Sequence, residues 1–226
     1  NMGTQQIEAV PVALYAKNVN LLDANNTIAI GGVVSATNSV AIGKDALAAN
    51  TSGADNTAIG YEALYSNTTG DYNTANGYQA LFSNTTGDRN VASGRIALHS
   101  NTTGSYNTAI GFRTLEDNTS GNDNTAIGYD ALRDNTTGNN NTGVGKTVLQ
   151  FNSSGNYNTA IGYRALRLNQ TGDGNTAIGY LTDVASGTLS NATAIGYGAI
   201  VTASNTIQLG NSNVTLVQTS GTISAT

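Results

Sequence analysis

The chain has 226 residues, a formal net charge of -5 and only 10% charged residues, with 27 Gly, one Pro and no Cys. Nine Lys and Arg spread singly offer no patch that could neutralise phosphates, which excludes a nucleic-acid binder. The missing Cys removes disulfides, thiolate catalysis and Cys-based metal sites, and no stretch reaches the roughly 18 apolar residues of a membrane span, so no membrane insertion is expected.

In chain order, residues 1–25 read as a connector from an upstream module. They lack the basic start and apolar core of a signal peptide, so the chain reads as part of something longer. Residues 9–17 are apolar and free of Gly, which predicts a short helix starting after Pro11.

Residues 26–200 are a repeat. Gly43, Gly60, Gly77, Gly94, Gly111, Gly128, Gly145, Gly162, Gly179 and Gly196 follow one another at 17-residue steps. Leu47, Leu64, Leu81, Leu98, Leu115, Leu132, Leu149 and Leu166 keep the same step, as do Asn50, Asn67, Asn84, Asn101, Asn118, Asn135, Asn152 and Asn169. Such spacing without insertions means that each turn of chain has one shape and stacks on the next. Seventeen residues rich in Asn, Thr and Gly cannot supply two helices, but can supply two short strands and two turns. The fold class expected is therefore all-β, a parallel β-roll solenoid of 17-residue coils.

Within a coil, Thr57-Ala58-Ile59-Gly60-Tyr61 alternates as a two-faced strand. Ala63-Leu64 begins a return strand, and Asn67-Thr68-Thr69-Gly70 is a turn in which Gly takes positive φ and Asn bonds its counterpart one coil away. Ile42, Ile59, Ile110, Ile127, Ile161 and Ile178, with the Leu column, are expected to fill the interior. Ala58 and Gly60 then form a smooth outer face open to another chain. One Ile and one Leu per coil is too little apolar burial to offset ordering 17 residues, so further burial by self-association is expected. Ten coils at about 4.8 Å give a rod section of about 43 Å. Asn76 and Ser93 in place of Ile, Gly143-Val144 in place of Ala-Ile, and Arg95 or Lys146 in place of Tyr read as tolerated variation that weakens the core locally, with a bend or ligand cleft as the other reading. Residues 201–226 read as capping or neck strands leading to a downstream domain: Asn205-Thr206-Ile207-Gln208-Leu209-Gly210-Asn211 keeps the strand signature at a step of 14, and residues 214–223 alternate as a closing strand.

No nucleophile elbow, zinc-helix motif or phosphate loop is present, so no catalytic, cofactor-binding or metal-binding residue is assigned and no enzyme activity is expected. His99 reads as a surface position of one coil. Asp45, Asp71, Asp88, Asp123, Asp130 and Asp173 are taken not to repeat in one column, which argues against calcium. The Asn-x-Ser/Thr sequons fall where turns want Asn anyway. Tyr61, Tyr78, Phe112, Tyr129, Tyr163, Tyr180 and Tyr197 form a column that either packs between coils or stacks on sugar rings; a second column holds Tyr72, Tyr106 and Tyr157 beside Arg89. Columns of Thr at Thr68, Thr85, Thr102, Thr119 and Thr136, and at Thr69, Thr86, Thr103 and Thr137, motivate ice binding as the alternative function. The Thr57 column argues against it by sharing the parity of an Ile taken as buried.

Asn38-Ser39-Val40-Ala41-Ile42-Gly43 and the recurring Asn-Thr-Ala-Ile-Gly resemble head repeats of trimeric autotransporter adhesins. The longer unit is closest to repeats of phage tail fibres and bacterial surface fibres that carry a C-terminal endosialidase-type intramolecular chaperone. Val10-Pro11-Val12-Ala13-Leu14-Tyr15-Ala16-Lys17 and Thr206-Ile207-Gln208-Leu209-Gly210-Asn211 are similar to flanks of such fibres. The resemblance covers about residues 9–220 and implies a left-handed roll, a homotrimer, an extracellular place on a bacterial surface or virion tail, and attachment to a cell-surface glycan or envelope component.

Overall fold

The computed structural model describes residues 28–30 and 38–218. The described residues are all-β, without helix, in fourteen short strands: β1 (Ile28–Ile30), β2 (Val40–Ile42), β3 (Thr57–Ile59), β4 (Thr74–Asn76), β5 (Val91–Ser93), β6 (Thr108–Ile110), β7 (Thr125–Ile127), β8 (Thr142–Val144), β9 (Thr159–Ile161), β10 (Thr176–Ile178), β11 (Asp183–Val184), β12 (Thr193–Ile195), β13 (Ile200–Val201) and β14 (Ile207–Leu209). Twelve of them stack in sequence order into one parallel sheet, while β11 and β13 pair separately. From β2 to β12 register is held at 17 residues, Thr57 opposite Thr74 and Ala58 opposite Ala75, while β1 meets β2 at a step of 12, Ile28 opposite Val40. The sheet runs past residue 200, since β14 pairs with β12 at a step of 14, Thr193 opposite Ile207. The stacked β-solenoid expected from the spacing is the fold. The helix expected after Pro11 lies outside the described residues, and residues 214–218 form no strand.

The interior is filled differently from the expectation. Ala58, Ala63 and Leu64 are each fully buried, and their counterparts line the whole stack. The Leu column is core as expected, but the Ile column is not: Ile42, Ile59, Ile110, Ile127, Ile161 and Ile178 point outward and are 36 to 43% exposed. Most strands of the stack read half-buried, buried, exposed, as in Thr57, Ala58 and Ile59. The cavity of a 17-residue coil is narrow, and two Ala and a Leu saturate it, leaving no volume for Ile. Asn76 and Ser93 stand in the outward column, so they do not weaken the core.

The Ala63-Leu64 segment is no return strand. Residues 60–66 form a tight turn in which Glu62 and Leu64 take positive φ, 53° and 51°. Hydrogen bonds between coils hold it there: Leu64 N–H donates to Ala80 O at 3.0 Å and Glu62 N–H to Lys44 O at 2.9 Å. Gly60 does not present a smooth face to another chain. Its φ is +133°, and a Cβ there would lie 2.4 Å from Gly77 O of the next coil, so the close approach is between coils of one chain. Gly70 does not take positive φ either; a Cβ would meet Gly87 O at 2.5 Å and Asn67 Oδ1 at 2.6 Å, so it is Gly for want of space.

Candidate functional site

Three side-chain ladders lock the coils before any function is considered. In the first, Asn67 Nδ2 donates to Asn50 Oδ1 at 2.8 Å and to Gly70 O at 3.0 Å, and this pattern continues to Asn169. The Asn of each of these sequons is buried, so its amide is committed to the neighbouring coil, which supports the turn reading over glycosylation. The second runs through Asn56, Asn73, Asn90 and their equivalents: Asn73 Oδ1 accepts Asn90 N–H at 3.0 Å while its Nδ2 donates to Gly87 O at 2.9 Å. The third corrects the reading of the acids. Asp71, Asp88 and Asp173 do share a column, with Ser105, Asn122, Asn139, Asn156 and Ser190, and each offers a side-chain oxygen to a backbone N–H one coil before it, as Asp88 does to Asp71 N–H at 2.8 Å. The column is conservative in acceptor capacity rather than in charge, which a search for repeating acids passes over.

Outside the coil, one face combines β-strand side chains and the aromatic column. The strands present a Thr row beside the Ile row, and past the Gly60 turn stands the Tyr row. The rings stack face to face: Tyr61 on Tyr78 at 5.3 Å, Phe112 on Tyr129 at 5.3 Å, Tyr163 on Tyr180 at 5.2 Å and Tyr180 on Tyr197 at 5.3 Å. Ring faces are thus occupied by one another, and the column exposes edges. Inter-coil packing accounts for these residues, and stacking on sugar rings loses its main support. Cations close the gaps in the row: Arg95 lies over Tyr78 at 5.4 Å and Phe112 at 5.5 Å, and Lys146 over Tyr129 at 5.3 Å.

A second aromatic row, Tyr72 and Tyr106, encloses Arg89, whose guanidinium is 5.5 and 5.3 Å from the two ring centres and donates to the Tyr106 hydroxyl. His99 is not an isolated surface group. It ends a stack of Tyr65, Phe82 and His99 with ring separations of 5.2 Å. The Thr68 column donates its hydroxyls to the next coil, Thr68 Oγ1 to Thr85 O at 2.9 Å, so these hydroxyls are already engaged.

Charge clusters at one place. Arg113 pairs with Glu116 at 2.6 Å, Arg133 with Asp134, and both arginines lie 3.9 Å from Asp130. Burial raises the Asp130 carboxyl above the usual range against the pull of the two arginines, and Asp117 is raised by burial and by Glu116 and Asp134. The other perturbed acid is Asp183, which occupies the Leu column one step after Leu166. Its carboxylate accepts Val184 N–H at 2.9 Å and Leu168 N–H at 3.2 Å, and burial pushes its pKa up to about 6. Among the described residues no three acids or histidines converge as a metal site, and no helix is long and apolar enough to cross a membrane. Compared with known proteins, the chain matches no family model and no curated sequence.

Proposed function

We propose that the chain is a structural and adhesive segment of a trimeric extracellular fibre that attaches to a target cell surface. The observation that carries this reading is the outward Ile row. The coil interior is complete without it, yet Ile42, Ile59, Ile110, Ile127, Ile161, Ile178 and Ile195 stand 36 to 43% exposed in one line along the rod. An apolar stripe of this kind, interrupted only at Asn76 and Ser93, marks an interaction surface, and a row with a fixed axial repeat is complementary to a second copy of itself. The resemblance of the repeat to fibre heads supports three copies.

Ice binding is the second reading, and the geometry favours it more than the sequence did. Thr57 and its equivalents share the outward parity of Ile59, and Ile59 is not buried, so the objection drawn from parity fails. The two readings compete for one face. Light scattering decides between them: three times the 23.0 kDa chain mass supports the fibre, while a stable monomer that shows thermal hysteresis at millimolar concentration replaces it with the ice binder. Under the fibre reading, Ile110→Lys with Ile127→Lys lowers the mass to that of one chain with β-sheet circular dichroism retained.

A further inference from the structure

Coil by coil, the third and fourth turns depart from the rest in three ways that fall on neighbouring side chains. The outward Ile is replaced by Asn76 and then Ser93. Next to them Arg95 is held between Tyr78 and Phe112. On the other flank of β5, Arg89 is held between Tyr72 and Tyr106. Both arginines are exposed, and the ion pairs among the described residues use Lys44, Arg113 and Arg133 but neither Arg89 nor Arg95. The carboxylate nearest Arg89 in sequence, Asp88, is engaged with Asp71 N–H.

A guanidinium held between two rings has lost most of its freedom: Arg89 gives one N–H to the Tyr106 hydroxyl and keeps its remaining N–H groups for a partner, and Arg95 keeps its planar edge, a geometry that suits carboxylates. Two such groups flank one strand, six residues apart and so at most about 20 Å from each other. Two held cations in one patch suit a ligand that carries more than one carboxylate. Between them, beside the exposed Val91, lie Asn76 and Ser93, hydrogen-bonding groups where every other coil from Ile42 to Ile195 offers Ile or Val.

We propose that this patch, Arg89 and Arg95 with Asn76 and Ser93 between them, binds a carboxylated polysaccharide laid across the coil, the arginines taking carboxylates and the amide and hydroxyl taking sugar hydroxyls. The proposal deepens the adhesive part of the fibre reading and rests on it. Its ligand contacts are ionic and polar, made without the stacked ring faces.

The test is retardation of the whole chain in native gels containing polygalacturonate, with neutral dextran and polyphosphate as parallel gels. Binding to polygalacturonate but not dextran is expected. Arg89→Ala and Arg95→Ala should each weaken it about tenfold or more, the loss of a charge-assisted pair, and Arg95→Lys should weaken it less than Arg95→Ala. Arg164→Ala, which removes an exposed arginine stacked on Tyr163 alone, should change it less than twofold. Unchanged circular dichroism and thermal midpoints show that the variants fold. No retardation by polygalacturonate, equal retardation by dextran or polyphosphate, or an equal loss in Arg164→Ala overturns the site. Light scattering on the same samples separates the two ideas: a trimer without binding defeats this site alone, and a monomer that binds defeats the assembly alone.

Discussion

At the scale of single residues, the interior of a coil is so small that one methyl group is felt. Gly143 stands where the other coils have Ala, and a Cβ there would lie 3.1 Å from Val148 Cγ1 and 3.1 Å from Leu132 Cδ1. Val148 in turn stands where Ala63, Ala80 and Ala97 stand in their coils, so one coil has moved volume across its own core. Gly143→Ala and Val148→Ala should each destabilise, by overpacking and by a void respectively, and the double variant should recover at least about 1 kcal/mol of the summed loss. Denaturant unfolding of the three variants measures that coupling. The buried ladder is less forgiving. Asn118 donates to Asn101 and Gly121 and accepts from Asn135, so Asn118→Ala strands several buried groups and should cost about 3 kcal/mol in the same assay. Ile96 is the opposite case. A β-branched residue at φ 51° is strained, and Ile96→Asn should raise stability by about 1 kcal/mol, read as a higher unfolding midpoint.

For the coil as an element, the spacing of Gly, Leu and Asn was enough to read the period, the parallel stacking, the Leu core and the first Asn ladder. Which face of β3 looks inward was not legible from alternation, because a period of two separates faces without naming them. The signal was present in another form. The column of Ala58 admits only Ala and Gly143 from β2 to β12, whereas that of Ile59 admits Asn76 and Ser93. A position that accepts Asn and Ser is not a dry interior. The left-handed backbone at Glu62 and Leu64 had no signal at all, since neither residue type favours it and inter-coil hydrogen bonds impose it. The coil after Leu166 is where pattern and period part, and Asp183 marks it. Its carboxyl is held at about 6 in the fold, well above the 3.8 of an ordinary Asp, so the fold favours the protonated form. Its contribution is fully present below pH 4 and is lost as pH rises through 6, by about 3 kcal/mol at most. Asp183→Asn should flatten stability between pH 4 and 7 and exceed the parent at neutral pH, as unfolding midpoints across that range would record.

Seen as a whole, the molecule is a rod whose coils each touch only the coil before and the coil after, so its stability is a sum over neighbours. The backbone ladder, the three side-chain ladders and the stacked rings all repeat at the same 17-residue step. Between β2 and β12 a loss of one residue would therefore shift all of them at once, while loss or duplication of a complete coil leaves each junction as it was. Such a rod can change its length only in whole-coil steps, each altering its reach by about 4.8 Å. The repeat thus works as a ruler, and unequal crossing-over between its near-identical units would be the natural way for length to be adjusted without redesign of any contact.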